Sequence, residues 1–211
     1  MAKKLTLEED MARVKLLWEI ENEKYGMGYK HVAGVDEAGR GPLAGAVYAA
    51  AVILPRDIYL EGINDSKKLT AAKREALFER ITKEAIAYHI SSVDEKIIDE
   101  INILNATFLA MNDAISKLCV PADFVLIDGN RANNVQIPYE TVVKGDSKSI
   151  SIAAASILAK VARDNYITEQ DKIYPQYGFA QHKGYGTKQH TDAIKEHGPC
   201  EIHRKTFLKK L

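Results

Sequence analysis

The chain has 211 residues, of which 46% are hydrophobic and 27% are charged, a balance typical of one ordinary globular domain. Its formal net charge is zero, which excludes a global field that would draw the whole protein onto nucleic acid. Two cysteines without the spacing of a zinc site are predicted to be free thiols in a reducing compartment. The longest apolar run, residues 44–54, is too short to cross a bilayer, and the N-terminus lacks a signal peptide's apolar core. We therefore expect a cytoplasmic protein that does not associate with membranes.

The first predicted element is a helix that begins at a capping box formed by Thr6 and Glu9 and runs to about Lys24. We interpret residues 1–30 as an accessory helix and residues 31–211 as the main domain, with a helical C-terminal region. The next predicted elements, in chain order, are strands 31–35 and 44–54, helix 70–85, strand 88–93, and helices 94–101 and 105–118.

The second half of the chain is predicted to be mostly helical. In chain order it contains strands 124–127 and 141–143 and helices 149–170, 187–197 and 205–211. Strands come first and helices follow, which predicts a mixed α/β domain around one central sheet. Residues 183–211 carry seven Lys and Arg against three Asp and Glu, an excess that suits a polyanion but also an ordinary solvated surface.

Four acids follow buried elements at points where the chain changes direction. Asp36 and Glu37 come after a short apolar strand, Asp128 ends another, and Asp146 precedes the long helix at 149–170. Carboxylates without histidine or thiolate suit Mg²⁺ or Mn²⁺, and two such ions can clamp a phosphodiester. Each acid taken alone equally fits a turn former or a helix cap. The adjacent pair of Asp36 and Glu37 favours the metal interpretation, because two acids leaving a buried strand repel each other.

Two loops carry residues suited to contact with a ligand. Gly39, Arg40 and Gly41 form a turn that allows close approach of backbone N–H groups, although such a turn alone is a weak signal. Tyr185 lies in a loop of aromatic, glycine and basic residues, where it either stacks on a base or sugar or is buried at a hinge.

Three further charged residues have two interpretations each. Lys67 and Lys144 lie in loops beside the candidate acids and either contact phosphate or are solvated. Asp164 is in the middle of a predicted helix, where it either pairs with a neighbouring cation or approaches the metals from a second layer. The residues themselves do not decide between these interpretations.

Taken together, the segments resemble ribonuclease HII, the type 2 ribonuclease H of bacterial kind, over about residues 32–190. The matching blocks, in order, are AGVDEAGRGPLAG (33–45), NDSKKL (64–69), IDGN (127–130), KGDSKS (144–149), AAASILAKVARD (153–164) and HKGYGT (182–187). Related type 3 enzymes carry a sizeable N-terminal substrate-binding domain, whereas about thirty residues precede the first block here, which favours type 2.

The resemblance implies a ribonuclease H-like fold with a central mixed sheet flanked by helices. It also implies a two-metal site of Mg²⁺ or Mn²⁺ on the four acids, and cleavage that leaves 3′-OH and 5′-phosphate ends. The backbone of Gly39, Arg40 and Gly41 would sense the ribonucleotide 2′-OH, and Tyr185 would stack on the following deoxyribose. Lys67 and Lys144 would contact phosphates. The implied substrates are RNA–DNA hybrids and DNA duplexes that contain ribonucleotides.

Three alternatives remain open from the sequence. One is a related nuclease that acts on DNA, or on hybrids without preference for an RNA-to-DNA junction. Another is a catalytically silent hybrid-binding module, which would lack one of the four acids. The third is a Mg²⁺-dependent phosphatase, which would not need the glycine turn and Tyr185. A monomer is expected, and the sequence does not address recruitment by the replication machinery.

Overall fold

The computed structural model describes residues 5–209 of the chain. Its centre is a mixed five-stranded sheet in the order β3-β2-β1-β4-β5. The strands are β1 Val32–Ala38, β2 Val47–Ile53, β3 Ala87–Val93, β4 Phe124–Asp128 and β5 Tyr139–Val142. β1 pairs antiparallel with β2 and parallel with β4, so it lies in the middle of the sheet. The antiparallel β2–β3 pair and the parallel β4–β5 pair complete the sheet.

Helices cover both faces of this sheet. They are α1 Leu7–Leu17, α2 Glu19–Gly26, α3 Ala71–Glu84, α4 Glu95–Ser116, α5 Ile150–Ile173, α6 Phe179–His182, α7 Lys188–His197 and α8 Lys205–Leu208. Helices α1, α3 and α5 share one apolar core with β2, and α4 packs on the opposite face. The predicted α/β architecture, with helices flanking a central mixed sheet, is confirmed.

Helix α5 lies directly against β1. Residues 150–159 of α5 are all buried, and most of them are small. At Gly34 of β1, an added Cβ would overlap the backbone of Ser151, so only glycine allows this approach. The contact between β1 and α5 fixes the distance between the end of β1 and the turn that precedes α5.

Most predicted boundaries lie within a few residues of the observed ones, and several of the differences occur where the chain contacts distant residues. The first helix begins at the predicted capping box but breaks at Trp18, a buried residue whose Nε1–H donates to the Ile58 carbonyl (3.3 Å). The two helices predicted at 94–118 form α4 with a non-helical residue, Asn102 (φ 67°), between them.

Strand β2 begins at Val47 and not at residue 44, because residues 43–45 pair with the C-terminal segment instead. Leu43 N–H donates to Gly184 O and Gly45 N–H to Ile202 O, both at 2.8 Å. The last helix is Lys205–Leu208, and residues 210–211 of its predicted span lie outside the described residues. Within residues 5–209, no helix has both the length and the apolar character that a membrane crossing requires.

Candidate active site

Three acids meet at one edge of the sheet, at the carboxyl ends of β1 and β4. Asp36 and Glu37 belong to β1, and Asp128 is the last residue of β4, whose Ile127 pairs with Val35. Asp36 is 6% exposed, and its Oδ1 accepts a hydrogen bond from Glu37 N–H at 2.7 Å. Burial, followed by the charges of Glu37 and Asp128, raises the pKa of Asp36 well above its usual range. The parallel pairing thus concentrates negative charge at this edge.

Asp146 joins the edge from the turn that precedes α5. Gly145 N–H donates to Asp128 Oδ1 at 2.6 Å, which ties the turn to β4. A Cβ at Gly145 would lie 2.5 Å from Ile152 Cδ1, so this position has little room for a side chain. Burial, followed by the charges of Asp65 and Asp128, raises the pKa of Asp146. All four predicted acids therefore lie in one electrostatically coupled region.

Asp65 is a neighbouring acid that the sequence interpretation did not assign to the site. Its side chain accepts a hydrogen bond from Lys67 N–H (2.9 Å) and caps the short 3-10 turn Ser66–Lys68. Asp65 belongs to the NDSKKL block, so the sequence contained a signal for it. However, an acid that caps a loop has the same sequence pattern whether or not other acids lie near it in the fold. Ser66 Oγ lies 2.8 Å from Ser156 Oγ, so this turn is attached to α5.

Lysine at this edge offsets part of the negative charge. Burial alone would lower the pKa of Lys67, but the surrounding carboxylates, first among them Asp36 and Asp65, raise it. Lys144 is exposed, in a left-handed conformation (φ 56°) one residue before the turn that carries Asp146. The structure thus brings Lys67 into the field of the acids and leaves Lys144 at the rim of the region.

The acids fit divalent cations in their donor chemistry. They offer only oxygen, which hard ions such as Mg²⁺ and Mn²⁺ prefer. Burial and neighbouring carboxylates raise the pKa values of Asp36 and Asp146, so a bound cation would stabilise their charged forms. Among residues 5–209, no three His, Cys, Asp or Glu side chains already stand in metal-binding geometry. The carboxylates would have to turn toward an ion to share it.

The glycine turn, residues 39–41, directly follows β1 and lies next to the acids. Gly39 adopts φ +96°, and a Cβ there would lie 3.1 Å from Ala46 O, so the turn requires glycine. Arg40 Nη1 lies 3.2 Å from Glu37 Oε1. Arg40, Glu37 and Asp128 help to line a cavity of about 330 Å³. A basic and an acidic surface therefore adjoin in one groove.

Tyr185 stands beside this turn. A Cβ at Gly41 would lie 3.4 Å from Tyr185 Cε1, so the ring faces the glycine turn directly. The ring is half-exposed, and the carbonyl oxygen of Tyr185 is bound by Thr187 N–H (2.8 Å) and lies 2.9 Å from His190 Nδ1. The structure therefore brings Gly39, Arg40, Gly41 and Tyr185 into one surface.

Asp164 is the exception among the candidate residues. Its carboxylate pairs with Lys160 Nζ (2.8 Å) and Arg163 Nη1 (3.3 Å) on its own helix. These ion pairs agree with the interpretation of Asp164 as a partner of neighbouring cations. An approach of Asp164 to the metals stays a prediction.

A buried acid and two partly buried acids at parallel strand ends, next to a groove with exposed backbone and an aromatic ring, are suited to metal-assisted hydrolysis of a phosphodiester. A family model described as Ribonuclease HII matches residues 33–210. Ribonuclease HII of Caldicellulosiruptor saccharolyticus is 58% identical over 194 residues, which cover 92% of this chain and 95% of that protein. Ribonuclease HII of Acetivibrio thermocellus is 56% identical over 98% of this chain and 81% of that protein.

A solved structure agrees with these sequence matches. The crystal structure of ribonuclease H2 from Pyrococcus horikoshii OT3 superimposes with a TM-score of 0.69 and 29% identity, over 84% of this chain and 93% of that one. The chain belongs to the ribonuclease HII family. It is a divalent-metal-dependent endoribonuclease that acts on RNA–DNA hybrids, and the resemblance noted in the sequence is confirmed.

Proposed function

We propose that this enzyme cleaves the RNA strand of hybrids and also incises duplex DNA on the 5′ side of an embedded ribonucleotide. Cleavage leaves 3′-OH and 5′-phosphate ends. The observation that carries the proposal is the adjacency of the acids to the Gly39–Gly41 turn and the Tyr185 ring, within one continuous surface. A site for chemistry and a surface that can recognise a sugar thus meet within a few residues of β1.

Asp36, Glu37, Asp128 and Asp146 are the proposed ligands of two Mg²⁺ or Mn²⁺ ions. Bound there, the ions supply activation of the attacking water and stabilisation of the departing 3′ oxygen. The protein contributes the placement: β1 and β4 carry three of the acids, and the Gly145 N–H bond to Asp128 brings the fourth to them. The mutual repulsion of these carboxylates supports the proposal, because cations would relieve it.

Backbone N–H groups of the Gly39–Arg40–Gly41 turn are the proposed sensor of the 2′-OH, the group that distinguishes RNA from DNA. A side chain at Gly39 would lie 3.1 Å from the Ala46 carbonyl, and one at Gly41 would lie against the ring of Tyr185. The exposed face of Tyr185 is proposed to stack on the next deoxyribose, which favours RNA-to-DNA junctions.

Lys67 and Lys144 are proposed to contact backbone phosphates of the substrate. Lys67 supports this assignment best, because its pKa is raised by the same carboxylates that would hold the ions. Lys144 is exposed next to the turn that carries Asp146. Asp164 is proposed to approach the metals from a second layer, while its carboxylate also pairs with Lys160 and Arg163.

We further propose that residues 1–30 act as an accessory segment attached to the catalytic domain of residues 31–211. Glu21 supports this, because its Oε1 accepts hydrogen bonds from Ser149 Oγ (2.5 Å) and Ser151 N–H (3.0 Å) at the start of α5. The enzyme is proposed to be a cytoplasmic monomer without membrane association.

A DNA duplex with one ribonucleotide, offered with Mg²⁺ and in parallel with Mn²⁺, tests the proposal. We expect one incision 5′ to the ribonucleotide and little cleavage of the matched all-DNA duplex, with an RNA–DNA hybrid as the positive control. Cleavage of the hybrid without incision of the single-ribonucleotide duplex would contradict the proposal while leaving the hybrid activity intact.

A further inference from the structure

Arg204, near the C-terminus, is fully buried beneath the glycine turn. All five N–H protons of its guanidinium donate to backbone carbonyls of residues 39–45. Nε and Nη2 bind Gly45 O (2.9 and 2.7 Å), Nη1 binds Arg40 O (3.0 Å) and Pro42 O (2.9 Å), and Nη2 also binds Gly39 O (2.6 Å). One side chain therefore holds four carbonyl groups of the turn and the loop that follows.

Main-chain bonds join the same two segments. Arg204 N–H donates to Leu43 O at 2.9 Å, Gly45 N–H donates to Ile202 O, and Leu43 N–H donates to Gly184 O. The C-terminal segment and the loop before Tyr185 thus enclose residues 39–45 from two sides. Arg40 and Gly41 nevertheless remain exposed, next to the ring of Tyr185.

The carbonyl contacts determine where the N–H groups point. In a trans peptide, the C=O of one residue and the N–H of the next are antiparallel. Since Gly39 O and Arg40 O point toward Arg204, the N–H groups of Arg40 and Gly41 point away from it. Among the described residues, neither of these N–H groups has a hydrogen-bond partner. Both donors are free for a ligand.

Burial of a cation costs desolvation free energy, and a well-packed apolar residue usually stabilises a fold equally well. The burial of Arg204 therefore points to a role other than stability. Burial lowers the pKa of Arg204 to about 9, so at neutral pH the guanidinium keeps its charge and all five donors. Its hydrogen bonds go to carbonyl oxygens that share one loop. No apolar side chain and no single-point donor such as lysine could orient four carbonyls at once.

We propose that Arg204 is a positioning residue for substrate selection, which fixes the carbonyl side of the turn so that the N–H groups of Arg40 and Gly41 face the 2′-OH of a ribonucleotide. This inference rests on the proposed function of the turn. It adds that the selectivity for a ribonucleotide depends on a side chain that does not itself touch the substrate.

The test compares wild-type enzyme with Arg204→Lys and Arg204→Ala on a duplex with one ribonucleotide and on matched duplexes with deoxy or 2′-O-methyl sugar at that position. We expect kcat on the ribonucleotide duplex to fall about 10- to 100-fold, the range for losing an oriented hydrogen bond, with a much smaller change in KM. The rate ratio between ribonucleotide and deoxynucleotide should fall with it. Guanidinium ion at millimolar concentration should partly restore Arg204→Ala.

Arg80→Ala is the matched control, because Arg80 pairs with Glu84 on the surface of α3, and we expect wild-type kinetics and selectivity from it. Folded Arg204 variants that keep the wild-type ratio of ribonucleotide to deoxynucleotide cleavage would overturn the inference. If the wild-type enzyme itself does not incise the single-ribonucleotide duplex, the proposed function fails first, so the two failures are distinguishable.

If both Arg204 variants are too unstable to assay, the inference is tested on the wild-type protein. NMR order parameters of the Arg40 and Gly41 amides should then equal those of β1, about 0.85, as expected for a clamped turn. Values below about 0.6 would show a mobile turn and would contradict the proposal.

Discussion

The end of β1 and the loop that follows it are held in place by different parts of the chain. β1 pairs with β2 as far as Ala38 and with β4 as far as Val35, so nearby backbone holds Asp36 and Glu37. Residues 39–45 leave the sheet, and their carbonyls are held by Arg204, which lies 159 to 165 residues further along the chain. The acids depend on sheet pairing, whereas the loop depends on distant segments of the chain, through main-chain bonds and through the side chain of Arg204.

The two regions also differ in their electrostatic balance. The acids repel one another, and the pKa of Asp36 is raised by burial and by its neighbours. In the loop, each donor of Arg204 meets a carbonyl oxygen. The proposed function therefore requires cations in the first region, whereas the hydrogen bonds of the second are complete within the protein. Changes in the two regions should affect chemistry and selection separately.

The largest expected effect comes from Asp36→Asn. We expect cleavage of every substrate to fall by about 10³-fold or more, because metal-assisted catalysis is worth several kcal/mol. Substrate binding measured by fluorescence anisotropy should change little. In metal-free buffer the variant should be more stable to urea than the wild type, because one repelling buried charge is removed.

A metal titration distinguishes the role of Asp36 as a metal ligand from a role in supporting the fold. Mg²⁺ should raise the melting temperature of the wild type and raise that of Asp36→Asn much less, since an ion stabilises only the state that binds it. A variant that is less stable than the wild type in metal-free buffer would mean that Asp36 supports the fold.

The next prediction concerns the close contact between β1 and α5, which positions the acids. Gly34→Ala should destabilise the protein by about 3 kcal/mol or more, because the added Cβ overlaps the Ser151 backbone and pushes α5 away from β1. Gly26→Ala is the matched control, with no atom within 4 Å of its Cβ, and it should be neutral or slightly stabilising. Equal urea midpoints for the two variants would contradict the close packing of α5.

Acid should loosen the C-terminal segment that carries Arg204. Burial, followed by the charge of His190, lowers the pKa of His203 to about 4. The unfolded chain, with an ordinary histidine pKa near 6.5, then binds the extra proton first, so stability is full above about pH 6.5 and falls as the pH drops toward 4. The loss should reach up to about 3 kcal/mol.

Urea unfolding between pH 7 and pH 4 measures this loss. His203→Gln should show a shallower pH dependence than the wild type, while His197→Gln, on an exposed position of α7, should follow the wild type. Parallel curves for His203→Gln and the wild type would contradict the assignment.

A smaller effect is expected at the rim of the loop. Tyr185→Ala should reduce cleavage at an RNA-to-DNA junction about 5- to 150-fold, since stacking on an aromatic ring is worth about 1–3 kcal/mol. Tyr185→Phe keeps the ring and should stay close to the wild type. Single-turnover rates at a junction and within a uniform hybrid give the comparison, and equal losses on both would exclude a junction-specific role.

The sheet and its acids could be predicted because their signals are local. The apolar run before Asp36 and the one before Asp128 each mark a buried strand, and Ser149 caps the helix that follows Asp146. The break at Trp18 was missed, and the hydrogen bond of its buried side chain goes to the Ile58 carbonyl, forty residues away, where no local pattern announces it.

The clamp on the glycine turn could not be predicted for a similar reason. Nothing in the sequence around Arg204 distinguishes a buried guanidinium from one of the seven basic residues at positions 183–211. Its partners are backbone carbonyls, which carry no side-chain signature. The late start of β2 at Val47 has the same origin, because residues 43–45 pair with the distant C-terminal segment.

In the proposed reaction, water attacks the phosphodiester at the acids of β1 and β4, on the 5′ side of the ribonucleotide. In the direct test, the enzyme cleaves a single-ribonucleotide duplex in water labelled with heavy oxygen, and both new ends are identified by mass spectrometry. We predict a 3′-OH on the upstream strand and one heavy oxygen in the 5′-phosphate of the fragment that begins with the ribonucleotide. A 2′,3′-cyclic phosphate paired with a 5′-OH end would show attack by the 2′-OH itself and would contradict the account.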